Sequence, residues 1–297
     1  TLLTTVTSDG DTFSRRATKT APSTVALLKS RRGYANLDRY RNAVKSLNRA
    51  LSTIPHAELS LSDYRDPSLN PLESADLALA AHTWSQSPYA SLFVPRLEAL
   101  LEQTGAKSVG FSLSYLSQAL PAFAMIGFLK ERFPHLRIVL GGGLIISWVS
   151  QRGWQNPWPN LIDAVHGGDA PDFLEREYGL SPDPALRAAH DYGFVNPADC
   201  IAPGLVLPFS ASGGCWWGKC TFCPEAYECA PYRPVPPGLV VRELASLAAL
   251  HSPLLFHITD NEVSPALSRA LIANPPGVAW YGFSRFFDEL TDAGFCE

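Results

Sequence analysis

Short apolar segments alternate with helical segments along two stretches of this chain, and each apolar segment ends in glycine, serine or a polar pair. The first stretch consists of strand-like segments at 108–114, 138–140 and 164–166 and helical segments at 95–104, 120–133 and 144–152. The second consists of strand-like segments at 205–210, 254–259 and 278–283 and helical segments at 239–250 and 265–273. This alternation predicts an α/β fold in which parallel sheets carry helices on their faces. Ligands of such sheets bind at the carboxyl ends of the strands.

The order of these segments predicts four regions. They are a mostly helical or loop-forming N-terminal region (1–94), a first α/β domain (95–181), a linker (182–204) and a second α/β domain (205–297). Within the N-terminal region, apolar residues at helical spacing predict one helix over 37–51 and a shorter one over 74–84. The basic residues of 1–35 predict a solvated arm or helices lying over another domain.

Composition excludes several classes of protein. Hydrophobic residues make up 46% of the chain and charged residues 18%, which argues against a disordered protein. A net charge of −4 provides no basic surface for nucleic acid. The longest nearly apolar stretch, 138–149, is far shorter than the roughly 20 residues that span a bilayer. With no signal peptide visible, we expect a cytoplasmic protein that binds neither nucleic acid nor membrane.

Three of the six cysteines lie within nine residues, in the segment SGGCWWGKCTFCP. Cys215, Cys220 and Cys223 follow a predicted strand on a glycine-containing loop, where three thiolates can surround one iron–sulfur cluster. Three protein ligands leave the fourth iron of a [4Fe–4S] cluster open to a non-protein ligand. The other cysteines, Cys200, Cys229 and Cys296, are scattered, and we expect them to be ordinary small apolar residues.

A structural zinc site is the alternative for the same cysteines. Such sites use four ligands, usually as two separated pairs. The second pair is missing here, and the candidates for a fourth ligand, Cys229, His251 and His257, have no pairing of their own. The spacing therefore favours an iron–sulfur cluster and leaves zinc open.

The cysteine segment resembles the cluster loop of the radical S-adenosylmethionine enzymes. The usual spacing there is C-x3-C-x2-C with an aromatic residue before the last cysteine. This chain has C-x4-C-x2-C and keeps the aromatic residue as Phe222, a variant associated with the cobalamin-binding branch of the family. The resemblance implies that Cys215, Cys220 and Cys223 bind a [4Fe–4S] cluster. The open iron would bind S-adenosylmethionine, which is then cleaved to methionine and a 5′-deoxyadenosyl radical.

The resemblance also assigns roles to residues at the ends of the next two strands. Asp260 and Asn261 match the position that holds the methionine part of S-adenosylmethionine in the family, and they are suitable partners for an ammonium group. Their alternative role is to cap a helix before Pro265. Tyr281 and Arg285 match the third strand, whose end faces substrate and cofactor, so the resemblance implies catalytic roles. Their alternative role is core packing.

The first α/β domain resembles the Rossmann-like cobalamin-binding module that precedes the radical domain in this branch. The residues that carry this resemblance lie at the ends of the predicted strands, and we expect them to contact cobalamin: Ser112, Ser114, Leu116, Ser117, Gln118, Gly141, Gly142, Gly143, Gly167 and Gly168. The string D-x-H-x-x-G, which supplies a histidine ligand to cobalt in other cobalamin proteins, is missing. The first strand expected of this module is not obvious before residue 95, so region 1–94 would be part of a truncated version of the module.

The resemblance as a whole predicts a Rossmann-like cobalamin-binding domain followed by a partial radical β/α barrel with only its first three strand–helix units. It implies a radical enzyme that transfers a methyl group to an unactivated centre. The substrate would be a small molecule or peptide, and a reductase or flavodoxin-type protein would donate electrons. Two alternatives stay open: a non-catalytic iron–sulfur or zinc protein, and a corrinoid carrier without radical chemistry.

Overall fold

The computed structural model of the protein describes residues 11–55, 57–168, 170–180, 190–223 and 231–296. These residues divide into two compact units, one formed by 11–25 and 37–180 and the other by 26–36 and 190–296. The predicted linker residues 182–189 and the scattered Cys229 lie outside the described residues. No helix in the described part of the chain is long and apolar enough to cross a bilayer.

The helices up to residue 180 are α1 (Thr12–Leu28), α2 (Arg31–Tyr34), α3 (Leu37–Leu51), α4 (Ser74–His82), α5 (Ala90–Thr104), α6 (Ala119–Arg132), α7 (Gly143–Val149) and α8 (Ala170–Tyr178). The strands up to that residue are β1 (Glu58–Leu59), β2 (Tyr64–Arg65), β3 (Ser108–Ser112), β4 (Arg137–Gly141) and β5 (Ala164–Val165). The helices predicted over 37–51 and 120–133 are therefore confirmed.

The sheet of the first unit has the order β3-β4-β5, and all its strands are parallel, as the alternating pattern predicts. Central β4 buries Ile138, Val139 and Leu140, which explains why this strand reads as a continuous apolar run. β3 ends two residues earlier than predicted, at Ser112. The chain turns there because the amide of Leu113 donates to the carbonyl of Gly141 (2.8 Å) and its carbonyl accepts from the amide of Leu144 (3.0 Å).

α6 packs closely against α4 and supplies much of the core of the first unit. Nine of its residues are buried, and a Cβ at Gly127 would lie 1.9 Å from the carbonyl oxygen of Ala81. Only glycine therefore allows the two helix backbones to approach this closely. The ring of Phe123 packs edge-on against Trp158 (centroids 4.6 Å apart), whose indole N–H donates to the carbonyl of Ser74 (2.8 Å).

A two-stranded antiparallel hairpin, β1-β2, lies where the prolines predict only loop. Its turn is closed by the hydroxyl of Ser60, which accepts from the amide of Asp63 (2.9 Å). Asn48 of α3 accepts from the amide of Leu61 (2.8 Å) and ties the turn to that helix. Strands of two residues show no periodicity, so the prediction of loop was wrong here for lack of a local signal.

Asp163, just before β5, carries a carboxylate whose protonation at low pH should lower the stability of the first unit. Its carboxylate accepts from the amide of Ile138 (2.7 Å) and from Lys130 Nζ (2.7 Å). Burial alone would raise the pKa of Asp163, but these hydrogen bonds and the charge of Lys130 outweigh it and hold the pKa below its ordinary value. A lowered folded-state pKa stabilises the fold above about pH 4, and this contribution is lost as pH falls through the lowered value.

We therefore expect Asp163→Asn to lower the free energy of unfolding at pH 7 by about 1 kcal/mol or less, because the carboxylate is more than a third exposed. The difference from the parent chain should shrink as pH falls toward about 3. Urea unfolding followed by far-UV circular dichroism measures both quantities. Glu102→Gln, an exposed carboxylate on α5, is the matched control and should behave like the parent. A pH-independent difference for Asp163→Asn would contradict this account.

The second unit adds strands β6 (Val206–Phe209), β7 (Ser212–Gly213), β8 (Arg233–Pro234), β9 (Leu255–Ile258) and β10 (Trp280–Gly282) and helices α9 (Pro237–His251), α10 (Pro265–Ala273) and α11 (Ala293–Cys296). Its main sheet has the order β10-β9-β6 and is parallel throughout, as predicted. In the described part of the chain these three strands form an open sheet.

Burial alternates along this sheet and separates its two faces. Leu207, Phe209, Phe256 and Ile258 are buried in one cluster with apolar residues of α9 and α10. The intervening positions Val206, His257 and Tyr281 point to the other face and are partly or largely exposed. Helices therefore cover one face of the sheet, and the opposite face is open among the described residues.

The described part of the predicted linker, 190–204, packs on this unit. Tyr192 belongs to its apolar cluster, and its hydroxyl donates to the carbonyl of Pro208. Burial, together with the negative charge of Glu243, raises the pKa of this tyrosine. His190 makes a 2.7 Å contact between its Nδ1 and the carboxylate of Glu243 on α9. These contacts fasten the segment to the sheet and to α9.

Candidate functional site

The cysteine loop leaves the carboxyl end of β6, the first strand of the open sheet. Its base is closed by β7, which pairs antiparallel with β8, and by the amide of Val235, which donates to the carbonyl of Ala211 (2.9 Å). Gly214 and Gly218 have φ angles of 67° and 58°. Such angles suit glycine and let the chain turn sharply on both sides of Cys215.

The three cysteines of the loop are free thiols, and all are partly buried. Cys220 and Cys223 flank a turn in which the amide of Cys223 donates to the carbonyl of Cys220 (3.1 Å). Among the described residues, no three His, Cys, Asp or Glu side chains are grouped so as to hold a metal ion. Three accessible thiols on one short loop are a suitable donor set for a cluster, but this structure does not gather them into a metal site.

Asp260, predicted to bind cofactor, fixes the base of the loop. Its side chain is 3% exposed, and its carboxylate accepts from the amides of Ala211 (3.0 Å) and Ser212 (2.6 Å) and from the hydroxyl of Ser212 (2.8 Å). The alternative role of Asp260 and Asn261 as a helix cap is wrong, since Ser264 caps α10 by accepting from the amide of Leu267 (3.2 Å). Asn261 is exposed.

Glu262 is a buried acid of this site that the sequence analysis missed. Its side chain is 7% exposed, and its Oε1 accepts from the amide of Arg285 (3.1 Å) and lies 3.9 Å from Arg285 Nε. Its Oε2 lies 3.9 Å from the sulfur of Cys215. The signal that could have identified Glu262 from the sequence is its position two residues after Asp260, following the same strand.

Arg285 contacts the cysteine loop through aromatic rings. Its guanidinium carbon lies 3.4 Å from the ring centroid of Trp217 and 5.7 Å from that of Trp216. Lys219 Nζ lies 4.6 Å from the Trp217 centroid. Two cations therefore contact the same indole, which stabilises its position electrostatically.

Tyr281, the other predicted catalytic residue, lies on the open face of the sheet. It sits directly opposite His257 across β9 and β10, and the two rings stack with centroids 4.3 Å apart at 11°. Tyr281 is 46% exposed, so core packing does not account for it. Phe222, between the last two cysteines, is 89% exposed and free to contact a ligand.

A cavity of about 380 Å³ adjoins the loop. Its polar lining includes Ser212, Trp216, Asp260 and Glu262, and the N-terminal turn of α10 closes one side. The indole N–H of Trp216 is buried and has no hydrogen-bond partner among the described residues. A buried donor without a partner costs free energy.

In the first unit, the predicted cobalamin-contacting residues gather where β3 ends. Ser112, Ser117 and Gln118 line a cavity of about 460 Å³, together with the turn of the β1-β2 hairpin. Leu116 lines an adjacent cavity of about 530 Å³. The side-chain oxygen of Gln118 accepts from the amides of Ser114 (2.8 Å) and Tyr115 (3.0 Å) and so shapes the turn after β3.

Two tyrosines, Tyr64 and Tyr89, also line the cavity of about 460 Å³. Burial raises the pKa of Tyr64, with a further contribution from the neighbouring Asp66, and burial likewise raises the pKa of Tyr89. Both phenols therefore stay neutral to a higher pH than an exposed tyrosine would.

The predicted glycines lie at the ends of β4 and β5, as expected. For two of them, packing within the fold explains why the residue is glycine. Gly142 has a φ of 101°, and a Cβ there would lie 2.5 Å from the carbonyl oxygen of Leu113. A Cβ at Gly167 would lie 2.2 Å from Val149 Cγ2. The remaining three end β4, begin α7 and follow β5: Gly141, Gly143 and Gly168. Ser112, Ser117 and Gln118 thus line a cavity at the strand end, whereas Gly142 and Gly167 are accounted for by packing.

Comparison of the chain with models of protein families, with curated proteins and with solved structures gave no match in any of the three.

Proposed function

We propose that this chain is a cobalamin-dependent radical S-adenosylmethionine enzyme that transfers a methyl group to an unactivated centre of a small molecule or peptide. The observation that carries the proposal is a three-cysteine loop at the carboxyl end of a parallel sheet, one face of which is left open by the helices of the described residues. In the proposed fold, this sheet is the first part of a radical β/α barrel, and its open face is the inside. The first unit is proposed to be a Rossmann-like cobalamin-binding domain.

In the proposed mechanism the second unit holds the cluster and S-adenosylmethionine. When bound, the [4Fe–4S] cluster supplies the electron that cleaves S-adenosylmethionine to methionine and a 5′-deoxyadenosyl radical. Cys215, Cys220 and Cys223 would hold the cluster, and Asp260 fixes the base of the loop by its hydrogen bonds. Asn261 and Phe222, both exposed, are available to contact S-adenosylmethionine.

Substrate would approach the open face of the sheet, where Tyr281 and His257 form an aromatic wall. A wall of this kind excludes water from one side of a radical and orients a substrate that stacks on it. In the first unit, Ser112, Ser117 and Gln118 are proposed to contact cobalamin, which supplies the methyl group when bound. A cytoplasmic reductase or flavodoxin-type protein is the proposed electron donor.

Anaerobic reconstitution of the whole chain with iron and sulfide tests this proposal. We expect about four irons and four sulfides per chain and, after reduction with dithionite, formation of 5′-deoxyadenosine from S-adenosylmethionine. Added hydroxocobalamin should co-purify with the chain and be detected by its absorption spectrum. One tightly bound zinc with no turnover of S-adenosylmethionine would overturn the proposal. A corrinoid spectrum without deoxyadenosine would identify a carrier instead.

A further inference from the structure

Three segments of the second unit meet beside the cysteine loop through Glu262 and Arg285. Glu262 follows β9, Arg285 follows β10, and Trp217 lies between Cys215 and Cys220. The Glu262 carboxylate accepts from the amide of Arg285 and lies within 3.9 Å of both Arg285 Nε and the sulfur of Cys215. The Arg285 guanidinium covers the indole of Trp217 at 3.4 Å.

The chemistry of these contacts indicates that Glu262 orients Arg285 and that Arg285 in turn holds Trp217. A carboxylate as buried as Glu262 needs a cation or several donors, and Arg285 supplies both a backbone N–H and a charge. Held by Glu262, the planar guanidinium is left with one face on Trp217, a geometry that lysine cannot reproduce in full. The position of the Cys215–Trp217 segment is thereby coupled to the ends of two neighbouring strands.

We propose that Glu262 and Arg285 are positioning residues that hold the Cys215 side of the cysteine loop against the sheet by clamping Trp217. Arg285 thus acts on the loop and not directly on substrate. The relevance to cluster binding rests on the proposed function, whereas the clamp itself is a property of the metal-free chain.

Site-resolved alkylation of the metal-free chain by iodoacetamide, read by mass spectrometry, tests the clamp. We expect Arg285→Gln and Glu262→Gln each to speed alkylation of Cys215 about tenfold, the loss of roughly one desolvated cation–π contact. Arg285→Lys keeps the charge and should stay within about threefold of the parent. Cys200, outside the loop, is the internal standard and should not change. Arg242→Ala, an exposed arginine on α9, is the matched control variant.

For Arg285→Gln, electrostatics alone would produce the opposite result, so this variant decides the test. Removing a positive charge near a thiol disfavours the thiolate and slows alkylation. Faster alkylation in Arg285→Gln therefore reports a released loop. Glu262→Gln removes a negative charge 3.9 Å from the sulfur of Cys215, and electrostatics alone would also speed alkylation there. A second readout is the near-UV circular dichroism of the Trp216–Trp217 pair, whose rings lie 6.1 Å apart; it should weaken in Arg285→Gln and persist in Arg285→Lys.

Equal rates at Cys215 in the parent, Arg285→Gln and Arg285→Lys, with an unchanged near-UV spectrum, would overturn the clamp. The measurement uses no iron and no S-adenosylmethionine. Failure of reconstitution would consequently count against the proposed function and leave the clamp intact. Unchanged alkylation rates would overturn the clamp and leave the proposed function intact.

Discussion

Replacing Cys215, Cys220 and Cys223 together by alanine is expected to abolish cluster assembly and the formation of 5′-deoxyadenosine. Each single replacement should do the same, because two thiolates do not hold a [4Fe–4S] cluster that keeps one iron open. The fold should persist, since all three thiols are only partly buried and the loop is fastened at its base by Asp260 and by the β7-β8 pair. Cluster assembly is measured by iron and sulfide analysis, formation of 5′-deoxyadenosine by its assay, and retention of the fold by far-UV circular dichroism.

Cys200→Ala is the control for this experiment. Cys200 is also a partly buried free thiol of the second unit, and its sulfur lies 4.0 Å from the carbonyl oxygen of Asn196. The Cys200→Ala variant should bind iron and produce deoxyadenosine like the parent. Retention of iron by the triple alanine variant would show that the metal binds elsewhere. Retention of bound cobalamin by the same variant is expected, because the proposed cobalamin contacts belong to the first unit.

The second large effect is expected at Asp260. Removing its carboxylate in Asp260→Ala leaves the amides of Ala211 and Ser212 and the hydroxyl of Ser212 without their acceptor in a buried place. Each unsatisfied buried donor costs about 1–3 kcal/mol, so we expect the free energy of unfolding to fall by about 3 kcal/mol or more. Urea unfolding measures the loss, and amide hydrogen exchange of 211–213 should be faster than in the parent.

Asp260→Asn separates shape from charge. The amide keeps one accepting oxygen but places an N–H₂ group against backbone donors, so we expect an intermediate loss. Asp199→Ala, an exposed carboxylate of the same unit, is the matched control and should change stability by less than about 0.5 kcal/mol. A stability of Asp260→Ala equal to that of this control would show that the loop base is held by other contacts.

Local patterns predicted those parts of the fold that local interactions determine. α10 was predicted with its observed bounds, with Pro265 in its first turn, although its cap is Ser264 and not Asp260 or Asn261. The alternation of short apolar segments with helical segments likewise identified β6, β9 and β10 and their parallel pairing. The β1-β2 hairpin escaped prediction because strands of two residues show no periodicity, and its turn is also held by Asn48, which lies 13 positions from Leu61.

The same distinction holds for the candidate site. Spacing identified the three cysteines and the strand-end residues near them, since the carboxyl ends of parallel strands meet at one edge. It could not identify the contact of Glu262 with Arg285, which lies 23 positions away, or the stacking of Arg285 on Trp217. Whether a carboxylate such as Asp260 faces a ligand or the chain's own amides is likewise decided by tertiary contacts.

The antiparallel pairing of β7 with β8 makes the cysteine segment an insert whose two ends are joined beside the sheet. For an insert closed in this way, each doubling of length adds only about 0.6 kcal/mol to the entropic cost of closing it, so one further residue adds less than about 0.1 kcal/mol. Relative to a gap of three residues, the four residues between Cys215 and Cys220 therefore add little to this cost. Differences in cysteine spacing at this position can arise by insertion or deletion without disturbing the strands that carry the segment.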